Sequence, residues 1–184
     1  MAIIGLSKPY YATYTANGTT VTYGTVTQMA KAVSLAIDLD GGDMQKLYAD
    51  NGVAEAMSSF AGATLTVGID ELDLTTAAAL FGITMTSNGP VNFSAKNDAP
   101  YVGFGAVVKK VKAGVVKWLA VVLPKVKFQI PNDAAETQGE TISFQTPSLT
   151  ATVMQDDTAD ENWKIWKEFE TETDAVSFIS TTLS

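Results

Sequence analysis

The stretch YVGFGAVVKKVK, residues 101–112, is followed by Ala113-Gly114 and then by VVKWLAVVL, residues 115–123. Both halves are rich in β-branched and aromatic residues, which favour pleated strands, and a dipeptide that ends in glycine suits a tight turn. The stretch therefore predicts a long β-hairpin in a mainly β protein. After it, Pro124 predicts a bend, and the alternating apolar residues of 126–130 predict a further strand.

The segments before this hairpin also predict strands. A β-prone run with three tyrosines leads into Asn17-Gly18, a preferred hairpin turn, and Thr19–Tyr23 returns. Residues 31–40 alternate between apolar and small or polar side chains, which predicts one strand with a buried row and an outward row. The buried row is Val33, Leu35, Ile37 and Leu39. Gly41-Gly42 ends this strand, and an irregular segment over 43–52 precedes strands that resume near Val53 and again over 65–69.

Two helices are predicted from their end signals. Asp73–Phe81 has an N-cap residue, a run of alanines and Gly82 at the position of a left-handed C-terminal residue. Residues 159–170 follow a capping box of Thr158 and Glu161, and the aromatic residues at three-residue spacing predict a face that packs on the sheet. These aromatic residues are Trp163, Trp166 and Phe169.

The remaining elements complete one domain. A turn is predicted at 88–90, short strands at 140–145 and 148–155, and a final strand at 175–183. No internal repeat divides the chain. Residues 1–184 are therefore predicted to form a single mainly β domain, a twisted β-sandwich or barrel of about ten strands flanked by an α-helix.

The composition disfavours an enzyme. The 184 residues contain no cysteine, no histidine and no arginine, so all twelve cationic side chains are lysines. Thiolate chemistry, imidazole proton transfer and bidentate guanidinium contacts are thereby excluded. We expect no catalytic residue, no cofactor and no metal site. The opening residues do not resemble a signal peptide, and Val115–Leu123 is too short for a membrane span, which predicts a protein kept in the cytoplasm until it assembles.

The net charge of −8 is unevenly distributed. Residues 1–98 contain four lysines and nine acids, residues 99–132 contain six lysines and no acid, and residues 133–184 contain two lysines and eleven acids. Such blocks suit complementary faces between copies of one chain. A solvated lysine-bearing hairpin beside an acidic helix is the alternative, and the sequence does not separate the two.

Three groups of charged residues invite a site, and each has a simpler explanation. The acidic turn Asp38–Asp43 lacks the EF-hand spacing, and the acids Asp70, Glu71 and Asp73 lie where a helix begins. The lysines of 109–127 lie near aromatic residues, as in single-strand binders, but lysine also protects exposed strand edges.

Several segments, taken in order, resemble the major tail proteins of siphophages that infect Gram-positive bacteria and of related prophages. Together they cover most of the chain. They are IGLSKPYYATYT at 4–15, MQKLYADN at 44–51 followed by Glu55, LTVGIDEL at 65–72, LFGI at 80–83, Gly89-Pro90, DAPYVGF at 98–104, TQGETISFQTP at 137–147 and SLTAT at 148–152.

This resemblance implies a tail-tube role. Members of the family are β-sandwiches with a flanking helix; six copies close into a ring, and the rings stack into a tube that conducts the genome. The implied partners are further copies of the chain, the tape measure and tail terminator proteins, and DNA in transient passage, with no membrane. The implied location is the virion tail, after assembly in the host cytoplasm. A phage-derived bacteriocin or injection machine, or a non-phage adhesive β-sandwich module, remains the alternative.

Three sets of residues are the candidate contacts of such a tube. The irregular segment is a candidate ring-stacking loop, the outward row of residues 31–40 is a candidate lumen surface, and the basic hairpin is a candidate contact between subunits. These candidates are Asp43, Met44, Leu47, Tyr48, Asp50 and Asn51 for the loop, Ser34, Ala36 and Asp38 for the lumen, and Lys109, Lys110 and Lys112 for the subunit contact.

Overall fold

The computed structural model describes residues 2–41, 45–49, 52–57, 60–85, 90, 92–112, 114–131 and 146–184, with the backbone alone at 2, 45–49, 52–57 and 112. These residues form eleven strands and two helices. The strands are β1 (Ala2–Asn17), β2 (Thr20–Tyr23), β3 (Thr27–Gln28), β4 (Ala32–Leu39), β5 (Gln45–Ala49), β6 (Gly52–Met57), β7 (Ala63–Ile69), β8 (Tyr101–Lys112), β9 (Val115–Phe128), β10 (Ser148–Met154) and β11 (Ile165–Phe169). The helices are α1 (Leu74–Phe81) and α2 (Glu172–Thr182).

The fold is mainly β and sandwich-like, as predicted. Nine strands form one antiparallel sheet in the order β2-β1-β8-β9-β10-β7-β4, in which β3 also pairs with β1 and β11 with β9. Within the described residues, β5 and β6 pair only with each other. The first predicted hairpin is confirmed as β1 and β2, and the central one as β8 and β9.

The β8–β9 hairpin lies at the centre of the sheet. The two strands pair from Lys112 opposite Val115 to Tyr101 opposite Lys127, with one register shift between Val102 and Phe104. A bulge lies beside Pro124, and β9 continues through it to Phe128, so the predicted bend does not end the strand. A bulge tolerates proline there because the disturbed pairing does not need the missing N–H.

One face of this hairpin fills the main core. Apolar side chains of β8 and β9 meet those of β7, β10 and α1, because the curved sheet brings its two halves face to face. Ten of the twelve largest fully buried residues lie in this core: Phe81, Phe104, Phe128, Leu65, Ile69, Leu80, Leu123, Leu149, Val67 and Val102.

The opposite face of the hairpin is covered by α2. Ala175, Ile179 and Leu183 are completely buried against small residues of the sheet. A Cβ atom added at Gly105 would overlap the side chain of Ile179, and one at Gly103 would overlap that of Leu183. The two glycines therefore allow the helix to lie directly on β8.

The helix over 73–81 is confirmed. The Asp73 carboxylate accepts a hydrogen bond from the Thr75 N–H at 3.2 Å, as an N-cap does. Gly82 ends the helix with φ of 64°, in the left-handed region.

The helix predicted over 159–170 is wrong. Thr158 bonds the Asp156 carboxylate, and Glu161 has φ of 49°, so no capping box forms. Residues 165–169 instead pair with β9 as strand β11. Pairing with β9 and the partial burial of Ile165 and Phe169 in the cluster that contains α2 outweigh the three-residue aromatic spacing.

The strand predicted over 175–183 is also wrong, because this segment forms most of α2. The Thr171 hydroxyl accepts a hydrogen bond from the Asp174 N–H at 3.2 Å, and acids occupy the first turn. The buried residues Ala175, Ile179 and Leu183 recur every four positions, which is the helical period.

The two regions before β7 differ in part from the prediction. In β4, Leu35 and Ile37 pack on the core as predicted, but Val33 is 55% and Leu39 64% exposed. A bulge between Ala32 and Ser34 disturbs the start of the strand. The segment predicted as irregular contains β5, where a bulge between Leu47 and Tyr48 breaks the alternation.

The contact between α2 and Gly105 gives the first prediction. Gly105→Ala should lower the free energy of unfolding by about 1–3 kcal/mol, because the new methyl group overpacks against Ile179. Gly5→Ala is the matched control, since its Cβ would make an ordinary contact at 3.6 Å. The measurement is urea unfolding, and adding Ile179→Ala to Gly105→Ala should cost less than the two separate losses combined. Simple additivity would contradict the close approach.

The two tryptophans before and within β11 give the second prediction. Trp163 stacks on Phe60 with ring centroids 4.6 Å apart, whereas Trp166 is 61% exposed. Trp163→Ala should therefore destabilise the fold by about 1–3 kcal/mol, less than a fully buried aromatic would, and Trp166→Ala by less than about 0.5 kcal/mol. Thermal unfolding of both variants measures this, and the reverse order would show that the packing of the two rings is misassigned.

Candidate assembly surface

A groove lies between the first half of β1 and strand β4. Residues 2–7 of β1 pair with β8 on one edge, and β4 pairs with β7 on one edge. Within the described part of the chain, the other edge of each segment has no strand partner. The groove therefore lies between two strand segments that each have one edge without a strand partner among the described residues.

The floor and walls of the groove are apolar. Its floor is the small buried cluster of Val108, Leu119 and Val121, on the core side of β8 and β9. Leu6 from β1 and Leu35 and Ile37 from β4 pack against this cluster from the two sides. The groove has a volume of about 590 Å³.

Four large apolar side chains at this groove are more than half exposed. They are Ile3 at 69%, Ile4 at 54%, Val33 at 55% and Trp166 at 61%. Single exposed apolar residues are ordinary, but several around one depression form an apolar patch of the kind that marks interaction sites.

The charged residues of the groove are both lysines. Among its lining residues, Lys110 and Lys164 carry the charge. Their amino groups lie 5.9 Å and 4.4 Å from the centre of the Trp166 ring, within the range of cation–π attraction. Burial and, secondarily, the charge of Lys110 lower the pKa of Lys164. An anionic group in the groove would relieve this repulsion.

The candidate subunit-contact lysines do not share one surface. Lys110 lines the groove, whereas Lys109 lies 5.2 Å from the ring of Trp118 on the opposite side of the sheet. Of Lys112 the structure describes the backbone, at the end of β8. The other hairpin lysines pair within the chain: Lys117 with Glu170, Lys125 with Asp157 and Lys127 with Asp98.

The candidate lumen residues are exposed on β4. Ser34, Ala36 and Asp38 form the outward row that the alternation predicted, and Ser34 also lines the groove. Whether this row faces the bore of a tube stays a prediction.

The candidate ring-stacking loop is described in part. Leu47 and Tyr48 lie in β5, on the β5–β6 hairpin. Asp43, Met44, Asp50 and Asn51 lie outside the described residues.

Three of the acidic residues considered for chemistry accept hydrogen bonds from the chain itself. Asp70 accepts hydrogen bonds from the backbone N–H groups of Lys31 and Glu71 at 2.8 Å and 3.0 Å, and Asp73 caps α1. Asp40 accepts from the Thr64 hydroxyl at 2.9 Å. Among the described residues, no group of three or more potential metal ligands comes together, and neither helix is long and apolar enough to cross a membrane.

A polar cluster on the α2 side of the sheet fixes the segment after β10. The Tyr14 hydroxyl donates to Asp157 Oδ2 at 2.6 Å and accepts from the Asp157 N–H at 3.0 Å. Lys125 Nζ donates to the same carboxylate at 2.7 Å, and this hydrogen bond lowers the pKa of Asp157. Burial raises the pKa of Tyr14 to about 12. Burial also raises the pKa of Tyr23, whose hydroxyl donates to the Pro124 carbonyl.

Sequence reasoning missed most of the groove. Ile3, Ile4, Trp166 and Lys164 line it, and none was a candidate. A signal was present for Trp166, because adjacent strand residues face opposite sides, so Ile165 and Trp166 cannot both be buried on one face of a strand. Comparison with known proteins found neither a protein-family model nor a curated protein that matches this chain.

The polar cluster gives the third prediction. Tyr14→Phe should lower the free energy of unfolding by about 1–3 kcal/mol at neutral pH, because the Asp157 carboxylate and N–H lose their shared partner. The folded pKa of Tyr14, about 12, lies above its ordinary value of 10.0. Its contribution is therefore complete below pH 10 and is lost as the pH rises through about 12.

Urea unfolding at a series of alkaline pH values measures this contribution. Tyr101→Phe is the control, since that ring also lies near Lys125, at 4.9 Å, but its hydroxyl is outside the cluster. The stability of Tyr14→Phe should fall less steeply between pH 10 and 12 than that of the wild type. Parallel curves would show that the Tyr14 hydroxyl contributes nothing.

Proposed function

We propose that this chain is the tube subunit of a long-tailed phage tail. In this proposal, six copies close into a ring, and the rings stack into a conduit through which the genome passes. The observation that carries it is the groove between β1 and β4, where unpaired strand edges and exposed apolar side chains coincide. A protein that assembles with its own copies covers such a surface, and a lone monomer leaves it exposed.

The ordered segments that resemble siphophage major tail proteins support the same function. They include the start of β1, the β5–β6 hairpin region, β7 with α1, and the entry into β8. The mainly β fold with a helix packed on the central hairpin is the architecture that this resemblance implies. The partners and location then follow as parts of the proposal: other copies, tape measure and terminator proteins, and the virion tail.

Charge supports a conduit that does not hold DNA. Each lysine–phosphate contact adds affinity through counterion release, so a bore for rapid passage needs few accessible cations. The chain carries a net charge of −8, and three lysines of its basic hairpin pair with acids of the same chain. Asp38 on the outward row of β4 would add repulsion if that row lines the bore.

The fourth prediction tests this function by electron microscopy and DNA titration. Concentrated purified protein viewed in negative stain should show rings or tubes of uniform diameter. The subunit should leave the fluorescence anisotropy of labelled duplex and single-stranded DNA unchanged at low salt, where electrostatic binding is strongest.

Two results would contradict the proposal. A protein that stays strictly monomeric at high concentration would exclude a tube and favour an isolated adhesive module. Micromolar DNA binding that weakens steeply with added salt would contradict a passive conduit, because that slope reports phosphate contacts made by lysines.

A further inference from the structure

Strands β1 and β4 lie too close together for another strand to lie between them. Cα atoms of the two strands come within 8 Å of each other. Neighbouring strands of a sheet lie about 4.8 Å apart, so an inserted strand would hold its two neighbours about 9.6 Å apart. The groove nevertheless has a volume of about 590 Å³, which is in the range of small-molecule pockets. It therefore suits a slender ligand that contacts side chains.

The lining of this groove separates aliphatic from charged side chains. Aliphatic residues of β1 and β4 form its walls, and the small buried cluster of β8 and β9 forms its floor. Trp166 pairs with Val121 of that floor, so its ring stands on the same face of the sheet. Both lysines of the lining approach this one ring, Lys110 at 5.9 Å and Lys164 at 4.4 Å. The positive charge is thus gathered around Trp166 in a lining that is otherwise mostly aliphatic.

These two lysines lack the acidic partners that other lysines of the chain have. Lys117, Lys125 and Lys127 each form an ion pair, whereas within the described part of the chain Lys110 and Lys164 form none. Burial and the nearby charge of Lys110 lower the pKa of Lys164. An anion bound by both amino groups would supply the missing counter-charge, and burial of an attached apolar group would add to its affinity.

We propose that the groove of the free subunit binds a medium-chain fatty carboxylate. The carboxylate contacts the amino groups of Lys110 and Lys164, and the alkyl chain lies on the apolar floor between β1 and β4. An alkyl chain matches the aliphatic lining, and one carboxylate matches two lysines in a lining that contains no acid among the described residues. This site goes beyond the proposed tube function, since all of its lining residues belong to one copy.

Titration calorimetry of the dilute subunit with decanoate, below the concentration at which decanoate forms micelles, gives the fifth prediction. Decanoate should bind once per chain and about tenfold more tightly than decan-1-ol, which has the same chain but no charge for the lysines. Decyltrimethylammonium, with the opposite charge, should bind more weakly than the alcohol. Propionate, with the carboxylate but little chain, should not reach saturation at millimolar concentration.

A double variant assigns the carboxylate to the two lysines. Lys110→Gln with Lys164→Gln should weaken decanoate binding about tenfold and leave the affinity for decan-1-ol unchanged, because the change removes charge and keeps the apolar lining. The matched control is Lys109→Gln with Lys167→Gln, which removes the same net charge from lysines that lie over other aromatic rings. This control should bind decanoate as the wild type does.

A second variant tests the position of the alkyl chain. Val33 lines the groove and is 55% exposed, so Val33→Asp should fold while it places a negative charge beside the bound chain. Decanoate binding should weaken about tenfold, since the new carboxylate repels the ligand and makes the wall polar. Leu39→Asp is the control, because Leu39 is 64% exposed on the same strand and does not line the groove. Melting temperatures show that each variant is folded.

Three results would overturn this site. They are the absence of saturable decanoate binding, equal affinity for decanoate and decan-1-ol, and equal losses of affinity in the groove pair and in the control pair of lysine variants. None of these results touches the tube proposal, which electron micrographs of the concentrated protein decide. Conversely, a protein that binds decanoate as expected and never forms rings or tubes retains the site and loses the proposed function.

Discussion

The close approach of α2 to the β8–β9 hairpin is the constraint on which the rest of the fold depends. Gly103 and Gly105 leave room for Leu183 and Ile179 on one face of β8, while Phe104 on the other face fills the main core. The centre of the hairpin is therefore buried on both sides, and the other seven strands of the nine-stranded sheet extend outward from it. On β8, small residues face α2 and a large residue faces the main core. This arrangement allows the strand to contribute to a core on each of its two faces.

The same helix also helps to create the groove. At the bulge between Ser7 and Tyr10, Lys8 adopts φ of 52°, and both Ser7 and Lys8 bond Glu172 at the start of α2, at 3.0 Å and 3.3 Å. The bulge separates residues 2–7, which pair only with β8 among the described elements, from residues 10–17. In that second part, residues 10–13 pair with β8, Tyr10 and Tyr11 pair also with β3, and residues 14–17 pair with β2. The strained residue is thus where β1 changes from an internal strand to an edge strand.

Local signals in the sequence were enough to predict the two hairpins of the main sheet, the helix α1 and the fold class, because turns and helix caps depend on only a few neighbouring residues. They failed where sheet pairing decided the outcome. Residues 165–169 become a strand because β9 extends beyond β10 and offers an edge there, and no local pattern encodes that edge. The groove was missed for the same reason, since it depends on which edges of distant strands remain unpaired.

The basic block of the sequence is largely neutralised by ion pairs within the chain, which leaves few of its lysines for contacts with phosphates. Lys117, Lys125 and Lys127 are paired with acids of the chain, and Lys109 lies over Trp118 on the α2 side of the sheet. Lys110, joined by Lys164 from the segment before β11, faces the apolar groove. The lining of the groove combines apolar side chains with these two lysines, so it offers a phosphate backbone few charge contacts.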